Sequence, residues 1–374
     1  MKLLTGDPVP WFTLPSPDNP GYAFHSAAGR YVLLGFLGSG ARPETAAALA
    51  AIRPRRALFD DDFACFFGIS VDRLDREDSR LVNDTPGIRF LFDLDGAVCR
   101  DCGVIRHDPR QDGVELFRSC WVLLDPMLRV IETRPLPEAE AMLDRLAALP
   151  PPARHAGVEL PPPVLVLPRV FEPDFCRALI AHYEAQGGTP SGFMREVEGK
   201  TVGVFDPAMK RRSDCTIEDE ALRQGARARI LRRIVPELKK VHHFDATRME
   251  RYIVACYDSA ERGHFGAHRD NTTSGTAHRR FAVTINLNAE GFEGGELRFP
   301  EYGTRSWRAP TGGAVVFSCS LLHQALPVTA GVRYAFLPFL YDEAAARQRE
   351  ANNARLGEGI GAYRAAPARE ATEA

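Results

Sequence analysis

The sequence has no excess of charge of either sign, no long apolar run and no apolar leader. Its 47 Lys and Arg residues against 49 Asp and Glu give a formal net charge of -2, so the sequence predicts no electrostatic surface for nucleic acid or an anionic membrane. No apolar run reaches the ~18 residues that a membrane span requires. Asp7, Pro8 and Pro10 interrupt the amino terminus early, which argues against a signal peptide. We therefore expect a cytoplasmic protein that binds neither nucleic acid nor membrane.

Cysteine is also sparse, with 8 residues in 374. That number predicts no disulfide scaffold and suits a reducing compartment. Only Cys99 and Cys102 have a suggestive spacing, Cys-x-x-Cys. They are either structural thiols or a redox pair, and a helix starting there would acidify Cys99. A zinc half-site is disfavoured because the chain has no second pair of this kind.

A proline-rich stretch divides the chain. Residues 149–163 contain six prolines, which sustain neither a helix nor a central strand. We therefore predict a first domain over 1–149 and a linker over 150–163. A second domain is predicted over 164–345, followed by a tail over 346–374 that is helical at first and then frayed.

The two predicted domains have different patterns. The first alternates apolar runs with helical segments, which indicates an α/β fold; its strands are predicted at 31–36, 63–71, 120–124 and 128–131, and its helices at 44–52 and 138–149. The second begins with helices and continues with short β runs, which favour a sandwich or jelly roll. Its helices are predicted at 173–186 and 218–235, and its strands at 252–256, 281–287, 296–299, 313–317 and 334–340.

Three residues of the second domain form a candidate metal site. His268 and Asp270 are two residues apart, and on an extended strand alternate side chains share a face. His323 follows a later apolar strand. Two histidines and one carboxylate with open positions make the facial triad of non-haem Fe(II) oxygenases, which leaves room for a bidentate 2-oxo acid and dioxygen. The alternative is a turn with solvated polar groups.

Residues 248–342 resemble the 2-oxoglutarate/Fe(II) oxygenases of the prolyl-4-hydroxylase type. The resemblance is carried by Tyr257 and by the ordered blocks 263–270, 281–288, 292–300, 310–317 and 323–334. It implies a double-stranded β-helix (jelly-roll) domain with flanking helices, in which His268, Asp270 and His323 hold the iron. It also implies that Arg333 and Tyr257 bind the distal carboxylate of 2-oxoglutarate. Fe(II) and 2-oxoglutarate are the expected cofactors, with L-ascorbate as a further candidate.

The chemistry of Arg333 agrees with this role, because a guanidinium is permanently charged and forks onto a carboxylate. The alternatives are an exposed strand position for Arg333 and a core aromatic for Tyr257. Prolyl-4-hydroxylases commonly have Lys where this chain has Arg333, and a Ser where it has Ala335. These two differences weaken the expectation of a prolyl substrate, and a prolyl-hydroxylase-like activity stays open. The expected reaction is hydroxylation of an unidentified protein or small molecule, with decarboxylation of 2-oxoglutarate to succinate. The oligomeric state is open.

For other polar residues the sequence favours structural positions over functional ones. His264 and His278 lie on either side of the predicted iron strand, and the sequence favours polar loop positions for both over contacts with an anionic substrate. The basic run 210–212 is predicted to be a solvated face.

The first domain resembles peroxiredoxins, which have a thioredoxin-like fold. The matching segments are 6–14, 31–36, 68–72, 92–96, 103–104 and 118–125. In that family a peroxidatic cysteine follows the first strand, at a helix amino terminus that lowers its pKa. Thr45 stands at this place, so the resemblance implies a degenerate domain. Two rival functions stay open: a thiol redox protein that uses Cys99 and Cys102, and a jelly roll that binds metal without turnover.

Overall fold

An eight-residue apolar strand, Tyr31–Gly38, lies at the centre of the first of two units into which the chain divides. In this computed structural model the described residues are 3–108, 110–111 and 113–365. The first unit extends to Pro161 and includes Pro300–Thr304, and the second comprises Pro162–Phe299 and the residues from Arg305 onward. No helix among the described residues combines the length and apolarity needed to cross a membrane.

The first unit is built on a mixed sheet. Its strands are β1 (Thr13–Leu14), β2 (Tyr22–Ala23), β3 (Tyr31–Gly38), β4 (Ala64–Ser70), β5 (Ile88–Phe92), β6 (Ile105–His107), β7 (Glu115–Phe117), β8 (Cys120–Leu124) and β9 (Val130–Pro135). Its helices are α1 (Pro43–Ile52), α2 (Arg73–Glu77), α3 (Ala97–Asp101) and α4 (Ala139–Ala147).

The sheet order is β5-β4-β3-β8-β9. Strands β3, β4 and β5 are parallel, whereas β8 and β9 form an antiparallel hairpin beside β3. Every residue of β3 and β4 is buried, as expected for central strands covered on both faces. Helices α1 and α4 contribute Ile52, Leu143 and Leu146 to the core around Trp121. The predicted thioredoxin-like α/β fold is confirmed.

The Cys99–Cys102 pair is buried within and just after the short helix α3. Burial raises the pKa of the Cys99 thiol well above its usual value, and the nearby Asp93 carboxylate raises it further. Burial likewise raises the pKa of Cys102 to about 12. The prediction that a helix start would acidify Cys99 is wrong, because Asp93 already accepts the Cys99 backbone N–H at 2.8 Å.

Thr45 has a structural partner. Its side chain is buried in the first turn of α1, and its hydroxyl donates a hydrogen bond to the Leu37 carbonyl at 3.0 Å. The hydroxyl therefore helps to fix the start of α1 against the end of β3.

We predict that Cys99 and Cys102 of the native chain react slowly with a thiol reagent at pH 8, because thiols with raised pKa values supply little thiolate. Thiol-dependent peroxide consumption should equal that of a Cys99→Ser variant. The measurement compares the rates of thiol modification in the native chain and in the urea-unfolded chain. Both thiols should react at normal rates in the unfolded chain. Rapid peroxide turnover that disappears in Cys99→Ser would show that the first unit is a working redox enzyme.

The second unit combines two antiparallel sheets with four helices in its described part. Its strands are β10 (Leu165–Leu167), β11 (Thr189–Pro190), β12 (Phe193–Val197), β13 (Lys200–Val204), β14 (Lys210–Arg211), β15 (Ser213–Thr216), β16 (Arg248–Glu250), β17 (Ile253–Asp258), β18 (His264–His268), β19 (Phe281–Asn286), β20 (Phe292–Gly294), β21 (Leu297–Arg298), β22 (Ser306–Trp307), β23 (Ala314–Ser318), β24 (His323–Ala325), β25 (Val328–Phe336) and β26 (Phe339–Tyr341). Its helices are α5 (Pro173–Gln186), α6 (Glu220–Arg233), α7 (Val235–His242) and α8 (Glu343–Ala351).

The larger sheet has the order β10-β23-β19-β25-β17-β15-β11, with β16, β20 and β26 paired beside this path. The smaller sheet has the order β14-β18-β24-β21-β22, and β12 pairs with β13 in a separate hairpin. Helices α5, α6 and α7 pack on strand residues of the larger sheet through Leu179, Ile230 and Leu238. The predicted double-stranded β-helix with flanking helices is confirmed.

Both helices predicted at the start of this unit are confirmed. Helix α5 spans the predicted residues 173–186. Helix α6 matches the helix predicted over 218–235 within two residues at each end, and a further helix that the sequence did not predict, α7, follows it after Ile234. Pro236 explains the break, since proline is tolerated in the first turn of a helix but not in its interior.

Beyond α8, the described residues include a packed aromatic side chain. Tyr363 packs against the buried cluster of Tyr341, Ala345 and Ala346. The Arg349 guanidinium lies 4.2 Å from the centre of the Tyr363 ring.

Three cationic or polar side chains contact a buried carboxylate at the end of β16. Glu250 lies 2.7 Å from Nε of Arg279, 2.8 Å from Nη2 of Arg349 and 3.2 Å from Nε2 of His278. His278 lies in a turn between β18 and β19, as predicted, but its ring is buried in this cluster rather than solvated. Burial opposes the charge of Glu250, but the two arginines and His278 together hold its pKa below the ordinary range.

Glu250→Ala should destabilise the second unit by ~3–5 kcal/mol, because it leaves buried cations without their counter-ion. The matched control is Glu237→Ala, which removes an exposed ion pair with Lys240 and should cost less than ~1 kcal/mol. Thermal unfolding of both variants measures the difference. Equal melting temperatures would show that the buried cluster contributes nothing to stability.

Candidate metal centre and its cavity

The two candidate histidines face each other across neighbouring strands. His268 ends β18 and His323 begins β24, and the two residues are register partners in the smaller sheet. Asp270 lies beyond the end of β18, so the prediction that it alternates with His268 on one strand is wrong. The chain turns after His268, and the Asp270 backbone N–H donates to the Cys319 carbonyl at 2.9 Å. This turn, rather than strand alternation, brings the carboxylate to the imidazoles.

The three side chains converge on one point. Nε2 of His268 lies 3.4 Å from Oδ1 of Asp270, and Nε2 of His323 lies 3.3 Å from Oδ2. One possible ligand atom from each residue lies within 4.8 Å of the others. Such an arrangement of two imidazoles and a carboxylate fits a divalent transition metal.

Backbone carbonyls define which ring nitrogen is available. Nδ1 of His268 lies 2.8 Å from the Gly266 carbonyl, and Nδ1 of His323 lies 3.0 Å from the Leu321 carbonyl. A carbonyl only accepts, so each neutral ring places its proton on Nδ1 and its lone pair on Nε2. Both lone pairs are therefore on the side of Asp270, where a metal would bind.

Electrostatics favour the ligating forms. Burial lowers the pKa of His323 to about 4, and the nearby His268 acts in the same direction. Burial alone would raise the pKa of Asp270, but the two histidines hold it below its usual value. At neutral pH His323 is therefore neutral and Asp270 is ionised, as metal binding requires.

Aromatic side chains hold the two imidazoles in place. The Phe265 ring stacks on His268 with centroids 3.5 Å apart, and Phe317 meets His323 edge-on at 4.6 Å. These contacts restrict rotation of both rings.

Among the described residues, Arg333 is a buried cation without a carboxylate partner. It lies in β25 opposite Tyr257 of β17 and is only 2% exposed. Its Nε donates to Oδ1 of Asn286 at 3.3 Å, and its guanidinium lies 4.9 Å from the Tyr257 ring centre. Nη1 is buried with no hydrogen-bond partner within the described part of the chain. Because an unpaired buried charge is costly, this residue fits an anionic ligand such as a carboxylate.

One cavity joins these groups. His268, Asp270, His323, Tyr257 and Arg333 all line it. Its walls also include apolar side chains from both sheets, among them Leu297, Phe317, Ala325, Leu337 and Phe339. The structure therefore brings together all five residues that the sequence singles out.

Two further arginines, Arg212 and Arg251, line the same cavity. The prediction of a solvated basic face at 210–212 is wrong for Lys210 and Arg212, which are both buried. Arg251 directly follows β16, in the short connection to β17, and has no motif that distinguishes it in the sequence. His264, in contrast, contacts the backbone carbonyls of Arg262 and Ala208.

The chain is similar to known oxygenases over this region. Residues 252–341 match the model of the 2OG-Fe(II) oxygenase superfamily. A PKHD-type hydroxylase of Synechococcus sp. (strain JA-2-3B'a(2-13)) is 30% identical over 89 residues, which are 22% of this chain and 39% of that protein. The chain thus spans well under half the length of this relative.

Two solved structures are similar to different parts of the chain. The viral collagen prolyl hydroxylase of Paramecium Bursaria Chlorella virus-1 is 17% identical, with a TM-score of 0.36 over 47% of this chain and 94% of that one. Peroxidoxin BcpB from Mycobacterium tuberculosis is 21% identical, with a TM-score of 0.34 over 40% of this chain and 99% of that one.

All five candidate residues, Tyr257, His268, Asp270, His323 and Arg333, lie within the matched region 252–341. The second unit therefore contains a region, residues 252–341, that matches the 2OG-Fe(II) oxygenase superfamily in sequence.

Proposed function

We propose that the chain is an Fe(II)- and 2-oxoglutarate-dependent dioxygenase that hydroxylates a substrate and converts 2-oxoglutarate to succinate. The observation that carries this proposal is one cavity that contains both a His-Asp-His cluster and an arginine without a counter-ion. The superfamily match over residues 252–341 supports it.

In this proposal His268, Asp270 and His323 hold Fe(II) through two Nε2 atoms and a carboxylate oxygen. When bound, iron and 2-oxoglutarate together supply the oxidising power from dioxygen that hydroxylation of a C–H bond needs. The chain's own residues bind and orient these two cofactors. Arg333 donates two hydrogen bonds to the distal carboxylate of 2-oxoglutarate, and the apolar walls of the cavity exclude water.

Tyr257 is proposed to donate to the same carboxylate. Nη1 of Arg212 lies 3.4 Å from the Tyr257 hydroxyl and donates to its oxygen. Since a guanidinium only donates, the hydroxyl proton remains free for an acceptor in the cavity. Arg212 is in this sense a positioning residue for Tyr257.

The rival functions are separable from this one. A jelly roll that only binds metal would form no succinate. A thiol redox protein would need a reactive Cys99, which the structure buries. A prolyl-hydroxylase-like substrate and a role for L-ascorbate as reductant are finer proposals, tested by adding prolyl peptides or ascorbate to the same assay.

Replacing any one of His268, Asp270 or His323 by Ala should abolish Fe(II)-dependent succinate formation, because two ligands do not fix the metal. The loss should exceed the roughly 10–100-fold effect of removing an outer-shell partner of a metal ligand. Calorimetry with Mn(II) gives an independent measure of metal binding. His264→Ala, a histidine of the same strand outside the cluster, is the matched control. Unchanged metal binding in His323→Ala would contradict the assigned triad.

Arg333→Ala should retain metal but bind 2-oxoglutarate more weakly, by ~2–5 kcal/mol, since a buried carboxylate loses its charged partner. Arg333→Lys should have an intermediate affinity for 2-oxoglutarate, because lysine keeps the positive charge but cannot donate two parallel hydrogen bonds to the carboxylate. Titration of 2-oxoglutarate into the Mn(II)-loaded chain measures the effect. Arg280→Ala, which removes a surface contact with Gln348, serves as control. Parent-like 2-oxoglutarate affinity in Arg333→Ala would mean that another cation holds the carboxylate.

A further inference from the structure

A second charged cluster lies at the wall of the cavity, and apart from the contact of Arg212 with Tyr257 it is not used by the proposed binding of iron and 2-oxoglutarate. It consists of Arg212, Asp214 and Arg251, and is called here the Arg212–Asp214–Arg251 cluster. Nη2 of Arg212 lies 2.7 Å from Oδ2 of Asp214, and Nη2 of Arg251 lies 3.2 Å from the same oxygen. Two guanidinium groups therefore share one carboxylate, and the cluster carries one excess positive charge.

Both arginines of the cluster stay charged. Burial and the nearby Arg212 lower the pKa of Arg251 to about 10, which leaves it protonated at neutral pH. Lys210 adds little to this charge, since burial lowers its pKa to about 6. Its Nζ donates to the Ser191 hydroxyl at 2.8 Å.

Arg251 keeps donors free for a ligand. Its side chain lines the cavity and is 28% exposed, and its hydrogen bond to Asp214 uses only Nη2. The guanidinium also lies 5.4 Å from the Phe339 ring centre. The backbone of Arg251 has a φ of 66°, a left-handed conformation that is unfavourable for a residue with a side chain. Strain of this kind concentrates at ligand-binding sites.

A charge balance shows what remains after the proposed cofactors bind. Fe(II) with Asp270 carries one positive charge, and 2-oxoglutarate brings two negative charges. Arg333 neutralises the sum. The excess positive charge of the Arg212–Asp214–Arg251 cluster is then uncompensated, beside the apolar wall formed by Leu337, Pro338 and Phe339.

We propose that the substrate is a monocarboxylate with an apolar body, whose carboxylate binds Arg251 in the Arg212–Asp214–Arg251 cluster. This inference rests on the proposed oxygenase function. A carboxylate matches a single excess charge and accepts two N–H bonds from one guanidinium. The apolar body packs on the wall next to the cluster. The carboxylate belongs either to a small acid or to the carboxyl end of a peptide.

The test uses the full chain loaded with Mn(II) and 2-oxoglutarate. The probes are N-acetyl derivatives of the apolar amino acids and of proline, each compared with its carboxamide by calorimetry. The second arm uses the same residues at the end of N-acetyl-Gly-Gly peptides, with free or amidated termini, and so separates a small acid from a chain end. At least one acid should bind at least tenfold more tightly than its amide, and should stimulate succinate formation by the Fe(II)-loaded chain.

Variants locate the carboxylate. Arg251→Leu should reduce affinity for the acid at least tenfold, to the level of the amide, and Arg251→Lys should fall between the two. Arg232→Leu, which removes an exposed arginine of α6, should leave the preference for the acid intact. If Arg251→Leu does not fold, the comparison of acid with amide in the parent and in Arg251→Lys decides.

Each failure has a distinct signature. A chain that binds Mn(II) and 2-oxoglutarate but prefers no acid over its amide would overturn this inference alone. Parent-like affinity for the acid in a folded Arg251→Leu would do the same. A chain that fails to bind 2-oxoglutarate in the presence of metal would overturn the proposed function, and this inference with it.

Discussion

A permanently charged guanidinium buried without a carboxylate partner is the constraint on which the cavity depends. Desolvating such a group costs several kcal/mol, and Arg333 recovers part of this through Asn286 and the face of the Tyr257 ring. Both partners come from strands paired directly with β25. The antiparallel register therefore holds the cation in place, and an anion that enters the cavity supplies the interaction that the fold leaves unmade.

The metal centre has an unbalanced charge of the opposite sign. Asp270 is ionised beside a His323 that burial keeps neutral, so its negative charge also lacks a full counter-charge. One cavity thus contains an uncompensated carboxylate and an uncompensated guanidinium. A cation at the first and a carboxylate at the second satisfy both. This is why a metal ion and a dicarboxylic acid suit the site together better than either would alone.

Local patterns predicted much of the fold and the residues of the candidate site. Continuous apolar runs located β3 and β4, and a helical period located α5, because these signals depend only on neighbours in sequence. His268, Asp270 and His323 stand out through their chemistry and family spacing. Arg212, Arg251 and His278 do not, since their positions around the cavity and the buried cluster arise when β15 pairs with β17 and β16 with β26. These pairings join segments about 40 to 90 residues apart, and no local pattern records them.

Burial also explains why the cysteines of the first unit and the histidine and arginine of the second differ in their capacity for chemistry. Desolvation always favours the neutral form of a titratable group. For Cys99 and Cys102 the neutral form is the thiol, which is the unreactive state, so burial lowers the reactivity of the pair. For His323 the neutral form is the imidazole with a free lone pair, which is the state that binds metal. An arginine such as Arg333 resists deprotonation even when buried, and so retains its charge for an anion. The same physical effect therefore removes thiol chemistry from the first unit and prepares the second for a metal and a carboxylate.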